Sequence, residues 1–163
     1  MIETHLHLLI THLPIFGSIL GGIVLAYGLW TKSNQTKIAA YILLIISSLG
    51  AVIAYVTGEE AEEFVEKIQG FSKDAIEEHA EFAIFALSAL VVLGLVSVVG
   101  LFLALKQSPI IRTVSFVTLF ISLFSFGLIA RTGYLGGKIR HTELNSATIN
   151  PAQGGEENDE DED

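Results

Sequence analysis

Five histidines, His5, His7, His12, His79 and His141, are the residues of this chain best suited to chemistry. Imidazole nitrogen is a ligand for haem iron, copper, zinc and nickel. The five come from three separate stretches, so a fold that brings those stretches to one end would gather them. At roughly 100° per residue, His7 and His12 point about 140° apart on a helix, too far to share one metal. His12 lies one residue from Leu13-Pro14, inside an apolar stretch where a polar ring needs a partner. It either ligates a cofactor or satisfies backbone loosened by Pro14.

Other polar groups fall near these histidines. Arg131 follows a long apolar run, where a guanidinium can pair with a haem propionate or a lipid phosphate, or snorkel to the interface. Glu78 precedes His79 and is a candidate partner for fixing an imidazole tautomer. Gly133, Gly136 and Gly137 let backbone pass close to a bulky group or form a turn. Glu59, Glu62, Glu63 and Glu66 make a helical stripe that reads as a solvated face. Facing Glu-x-x-His pairs are absent, which argues against a carboxylate-bridged di-iron site. The chain has no cysteine, so disulfides, thiolate metal sites and covalently attached haem are excluded. It also lacks a glycine-rich phosphate loop and a basic patch for nucleic acid, and no Ser/His/Asp order supports hydrolysis.

The elements that must position these groups are set by hydropathy. The chain has 163 residues, 51% of them hydrophobic, and a mean hydropathy of +0.58, too apolar for a soluble domain of this length. A bilayer core of about 30 Å takes about 20 apolar residues as helix. Four stretches qualify: Leu8 to Trp30, Ile38 to Thr57, Phe82 to Leu105 and Thr113 to Ala130. The N-terminal stretch has no basic residue before Lys32, so it reads as a retained first span and not as a secretory signal.

Charge sorts by side. All 18 acidic residues and the five histidines fall on one face, whereas the 31–37 and 106–112 loops carry Lys32, Lys37, Lys106 and Arg112 and no acid. Those short basic loops are expected to be cytoplasmic, in the inner or plasma membrane, with both termini outside. The predicted architecture is an all-α, up-down bundle of four transmembrane helices over residues 1–141. Thr57-Gly58 is expected to end the second helix, and Glu59 to Gln69 to form a short amphipathic surface helix. Asp74 with Glu77 reads as a capping box for a third helix from Ala75. Residues 142–163 are acidic, nearly devoid of apolar groups and expected to be disordered, with docking of a partner protein as a secondary use.

Two motifs carry a resemblance. His7-Leu-Leu-Ile-Thr-His12-Leu-Pro14-Ile resembles the H-P-x-x-V-H-F-P-I-A opening of the bacterial membrane family of unknown function DUF2231. Gly133-Tyr134-Leu135-Gly136-Gly137-Lys138 with His141 resembles its G-x-L-G-G-x-L-V-Y-x-H-G close. Leu8 stands where that opening has Pro, and Ile139-Arg140-His141-Thr142 departs from the close. The likeness covers about residues 5–141 and selects His7, His12, His79 and His141. Members joined to Rieske-type or cytochrome domains imply electron transfer. The first expectation is therefore a membrane electron-transfer or binding subunit, holding b-type haem non-covalently through those histidines, with Arg131 nearby. Its partners would be the lipid bilayer and quinone or other redox proteins. A copper or zinc site on the same histidines is one alternative, and a cofactor-free docking subunit the other.

Overall fold

The computed structural model describes residues 7–66 and 73–140, and every element among them is α-helical. The helices are α1 (His12–Trp30), α2 (Asn34–Glu66), α3 (Lys73–Leu105) and α4 (Ile111–Arg140). Helical backbone at 7–10 already precedes α1, and Thr11 N–H donates to the His7 carbonyl at 2.9 Å, so the first span runs from His7. All four helices are long and apolar enough to cross a membrane. Consecutive helices pack together and α1 closes on α4, which gives a square bundle whose diagonal pairs barely touch. His5, His141 and the acidic 142–163 segment lie outside the described residues.

Around a buried core of Leu25, Tyr41, Leu44, Leu90 and Leu93 the interior is rich in small and hydroxylated side chains, and many large apolar ones face outward. Ser18, Ser47, Ser97, Ser115, Thr118, Ser122 and Ser125 are fully buried, while Phe16, Trp30, Phe85, Leu95, Phe120 and Phe124 are exposed. That inversion suits a lipid solvent, where close backbone approach and interhelical hydrogen bonds replace the hydrophobic drive. The glycines make the approach. A Cβ on Gly17 would meet Ser47 at 2.7 Å, on Gly21 Leu44 at 2.6 Å, and on Gly22 Ser122 at 2.8 Å. Gly94 and Gly100 of α3 lie directly against Ser48 and Tyr41 of α2.

Hydroxyls tie the helices across these contacts. Ser122 Oγ donates to the Ser18 carbonyl at 2.7 Å and Ser47 Oγ to the Pro14 carbonyl at 3.2 Å. Ser115 Oγ donates to the Ile111 carbonyl, so Tyr41 O–H is the donor in its 2.9 Å bond to Ser115 Oγ. Tyr41→Phe should therefore cost about 1 kcal/mol, the order found for one buried interhelical hydrogen bond in a membrane protein. A double-mutant cycle with Ser115→Ala, read by reversible unfolding in detergent, checks that value.

At the basic end, Lys32 (φ 55°) and Gln107 (φ 52°) take the left-handed conformation that closes a helix C-terminus. Ser108 N–H reaches the Leu103 carbonyl and Gln107 N–H the Ala104 carbonyl, the paired bonds of a Schellman turn.

Three expectations about helix extent are corrected. Helix α2 does not stop at Thr57-Gly58 but continues to Glu66, so its 59–66 portion is not a separate surface helix; residues 67–69 lie outside the described residues. A helical glycine costs only about 1 kcal/mol. Thr57 Oγ1 folds back on the Ile53 carbonyl at 2.9 Å, and the glutamates that follow are good helix formers. Helix α4 likewise runs through Gly133, Gly136 and Gly137 without a turn. Helix α3 begins at Lys73, which puts Asp74 in its first turn, facing the positive end of the helix dipole.

Candidate functional site

At the end of the bundle opposite the basic loops, two histidines turn inward from diagonal corners. His7, just ahead of α1, leans onto α2, and its Nδ1–H donates to the Ala54 carbonyl at 2.8 Å, with Thr57 Oγ1 at 3.4 Å. His79 of α3 leans onto α4, and its Nδ1–H donates to the Thr132 carbonyl at 3.0 Å. A carbonyl oxygen can only accept, so both Nδ1 atoms carry the proton. Among the described residues no hydrogen bond engages either Nε2. In the neutral ring that nitrogen holds the lone pair a metal would take. Both imidazoles are half-buried.

Each ring lies against a glycine one turn beyond its acceptor carbonyl. A Cβ on Gly58 would stand 3.0 Å from His7 Cε1, 3.3 Å from Nδ1 and 3.9 Å from Nε2. A Cβ on Gly136 would stand 3.1, 3.3 and 3.8 Å from the same atoms of His79. The arrangement is thus one device built twice: an imidazole on the carbonyl of residue i, its edge over a glycine at i+4. Gly136→Ala should displace the His79 ring by a few tenths of an ångström and weaken any ligand on Nε2 by roughly tenfold, the lower end of what disturbing a metal-bound histidine's support costs. Ligand titration of the variant beside wild type measures that.

The duplication extends through both hairpins. A shift of 72 residues carries His7, Gly22 and Gly28 onto His79, Gly94 and Gly100. A shift of 78 carries Ser47, Ala54 and Gly58 onto Ser125, Thr132 and Gly136. The middle pair also exchanges partners, since Gly22 of the first hairpin meets Ser122 of the second and Gly94 of the second meets Ser48 of the first. The two hairpins thus repeat the imidazole–carbonyl–glycine device, with His7 and His79 at corresponding sequence positions. Sequence reading named Gly136 as a point of close approach and took Gly58 for a helix stop; it missed that both seat an imidazole, and it missed the two carbonyls.

The other candidates stand apart. His12 is exposed, donates Nδ1–H to the Leu8 carbonyl of its own helical run at 2.8 Å, and stacks on Phe16. It faces outward, as its angular separation from His7 requires. Arg131 pairs with Glu78 at 3.6 Å and lies over the Phe82 ring at 5.2 Å, each member of the ion pair about half exposed. Glu78 is thus engaged by Arg131, and the imidazole tautomer it was expected to fix is set by Thr132. Among the described residues no three histidine, aspartate or glutamate side chains gather as a metal group.

No family model, curated protein or solved structure matches this chain. Any function must be argued from the twin histidines.

Proposed function

We propose that this chain is a multi-pass membrane electron-transfer protein that holds b-type haem between His7 and His79, of a kind similar to the DUF2231 family. The observation that supports the reading is the repeated device, two imidazoles at corresponding positions of the two hairpins, each with its Nδ1–H on a carbonyl and, among the described residues, no hydrogen bond on its Nε2. A pair of imidazole donors would hold haem iron, whereas a zinc site takes three or four protein ligands. The donor chemistry fits the group. Haem would supply one-electron exchange at its iron.

The protein's own contributions follow from the site. The Ala54 and Thr132 carbonyls fix ring orientation and make each Nε2 a better donor. Gly58 and Gly136 let each ring settle onto the neighbouring helix without a Cβ in the way. Placement in the helix ends lowers the local dielectric, which tunes the potential. The site lies at the acidic face; the basic loops would be cytoplasmic and the site and both termini extracytoplasmic. An isoprenoid quinone in the bilayer and an outer redox protein would then be donor and acceptor. The protein acts as an electron-transfer or binding subunit rather than a stand-alone enzyme.

The test is an absorption spectrum with iron, copper and zinc analysis of protein purified from haem-replete cells. Iron with a Soret band that moves on dithionite reduction is expected. Copper or zinc without a Soret band would favour the metal-site alternative, and a colourless, metal-free protein the cofactor-free docking subunit.

A further inference from the structure

The end of the bundle away from the histidines carries a second site. Lys32, Lys37, Lys106 and Arg112 lie in or beside two short loops with no carboxylate in either, 31–37 or 106–112. Asn34 Nδ2 donates to the Ala104 carbonyl at 2.9 Å, which holds the start of α2 against the end of α3 and so sets the loops side by side. Both helices that begin here, α2 and α4, have no acidic residue in the first turn. Their positive dipole ends therefore add to the four side-chain charges instead of being offset by a carboxylate. Among the described residues the ion pair that forms, Arg131–Glu78, belongs to the opposite end.

Two details point to what neutralises this charge. Lys37 is only 8% exposed, its stem laid against Gly28 of α1, where an added Cβ would meet Lys37 Cγ at 3.0 Å. A lysine whose stem is fixed between helices presents its ammonium at one place and does not sweep through solvent. Lys106 and Arg112 instead lie over the outward-facing rings of Phe102 and Phe116, at 5.8 and 5.9 Å. Those rings are exposed on the apolar surface of helices long enough to cross a membrane. The cations thus stand where acyl chains give way to headgroups.

We infer that this end of the bundle binds the phosphate diester headgroups of anionic lipids, with Lys37 as the fixed inner contact and Lys32, Lys106 and Arg112 around it. A lipid is the source that matches both halves of the surface, since its phosphate meets the cations while its chains cover Phe102 and Phe116. Basic pockets between helices at a membrane face recognise anionic headgroups in this way. Selectivity over zwitterionic lipid is on the order of fivefold per cation. This inference is independent of the haem reading.

The experiment is native mass spectrometry of the full chain in detergent, exposed to equal phosphatidylglycerol and phosphatidylcholine. Wild type should retain phosphatidylglycerol at least about tenfold over phosphatidylcholine. The combined variant Lys32→Gln, Lys37→Met, Lys106→Gln, Arg112→Gln should fall to parity; methionine keeps the buried stem of Lys37 while removing its charge. Lys138→Gln, at the other end, should keep the wild-type preference. If the fourfold variant loses its helical circular dichroism, the exposed pair Lys106→Gln, Arg112→Gln is read instead and should still lose most of the preference. Equal retention by wild type, or a preference that survives these changes, overturns the inference. So does displacement of the lipid by millimolar inorganic phosphate, which would make the site one for the free anion.

Discussion

Replacing either His7 or His79 by alanine should abolish haem binding, while His12→Ala leaves it intact. Loss of an outer partner of a metal-bound histidine costs about 10–100-fold in affinity, so loss of the ligand itself should cost at least about 100-fold. The pattern of effects is the informative part. His12 is the histidine that sequence motif and membrane depth both favour, yet its ring faces outward and is satisfied by Leu8 and Phe16. His7 and His79 are held by the same carbonyl and glycine device, so their single variants should behave alike, and each should leave weak residual binding at most. Haem titration of the three variants, followed at the Soret band, gives the comparison. Equal loss in all three would mean that the outward histidine is a ligand and that the paired geometry is not the site.

The second large effect concerns the fold alone. Gly100→Val should destabilise the bundle by about 3 kcal/mol, whereas Gly127→Ala should stabilise it by up to about 1 kcal/mol. Gly100 lies directly against the Tyr41 ring, which is fully buried and hydrogen-bonded to Ser115. Added methyl groups there cannot be absorbed by a flexible side chain, and overpacking of this kind costs about 1–3 kcal/mol. Displacing Tyr41 would add the loss of its hydrogen bond. Gly127 has nothing within 4 Å of an added Cβ. Helix propensity separates Val from Ala by less than about 0.7 kcal/mol, too little to produce that difference. Unfolding in mixed detergent reads both, and a Gly100→Val protein as stable as wild type would mean that α2 and α3 do not approach as described.

Much of this was legible in the sequence, though unevenly. The four spans could be read from apolar blocks because lipid-facing surfaces demand long uncharged runs. The polarity of the bundle could be read because all four loop cations fall on one side. Helix ends were not legible. Thr57-Gly58 and the glycines of 133–137 carry local breaking signals, but in both places the helix continues, and Gly58 and Gly136 serve a tertiary purpose, to seat an imidazole. The angle between His7 and His12 was readable from helical geometry, but not which of them faces inward. That choice depends on how α1 is rotated, and Gly17 and Gly21 fix the rotation by packing on Ser47 and Leu44. The carbonyls of Ala54 and Thr132 carry no side-chain signature at all. They emerge only from the hydrogen bonds that His7 and His79 make to them.

The most direct measurement is a stoichiometric haem titration of the full chain, purified from haem-starved cells, with His7→Ala/His79→Ala titrated in parallel. Saturation at one haem per chain with a low-spin, six-coordinate spectrum, absent from the double variant, is the result expected. A wild-type spectrum no different from haem in empty detergent, or one the double variant reproduces, would contradict a cofactor held between the paired histidines.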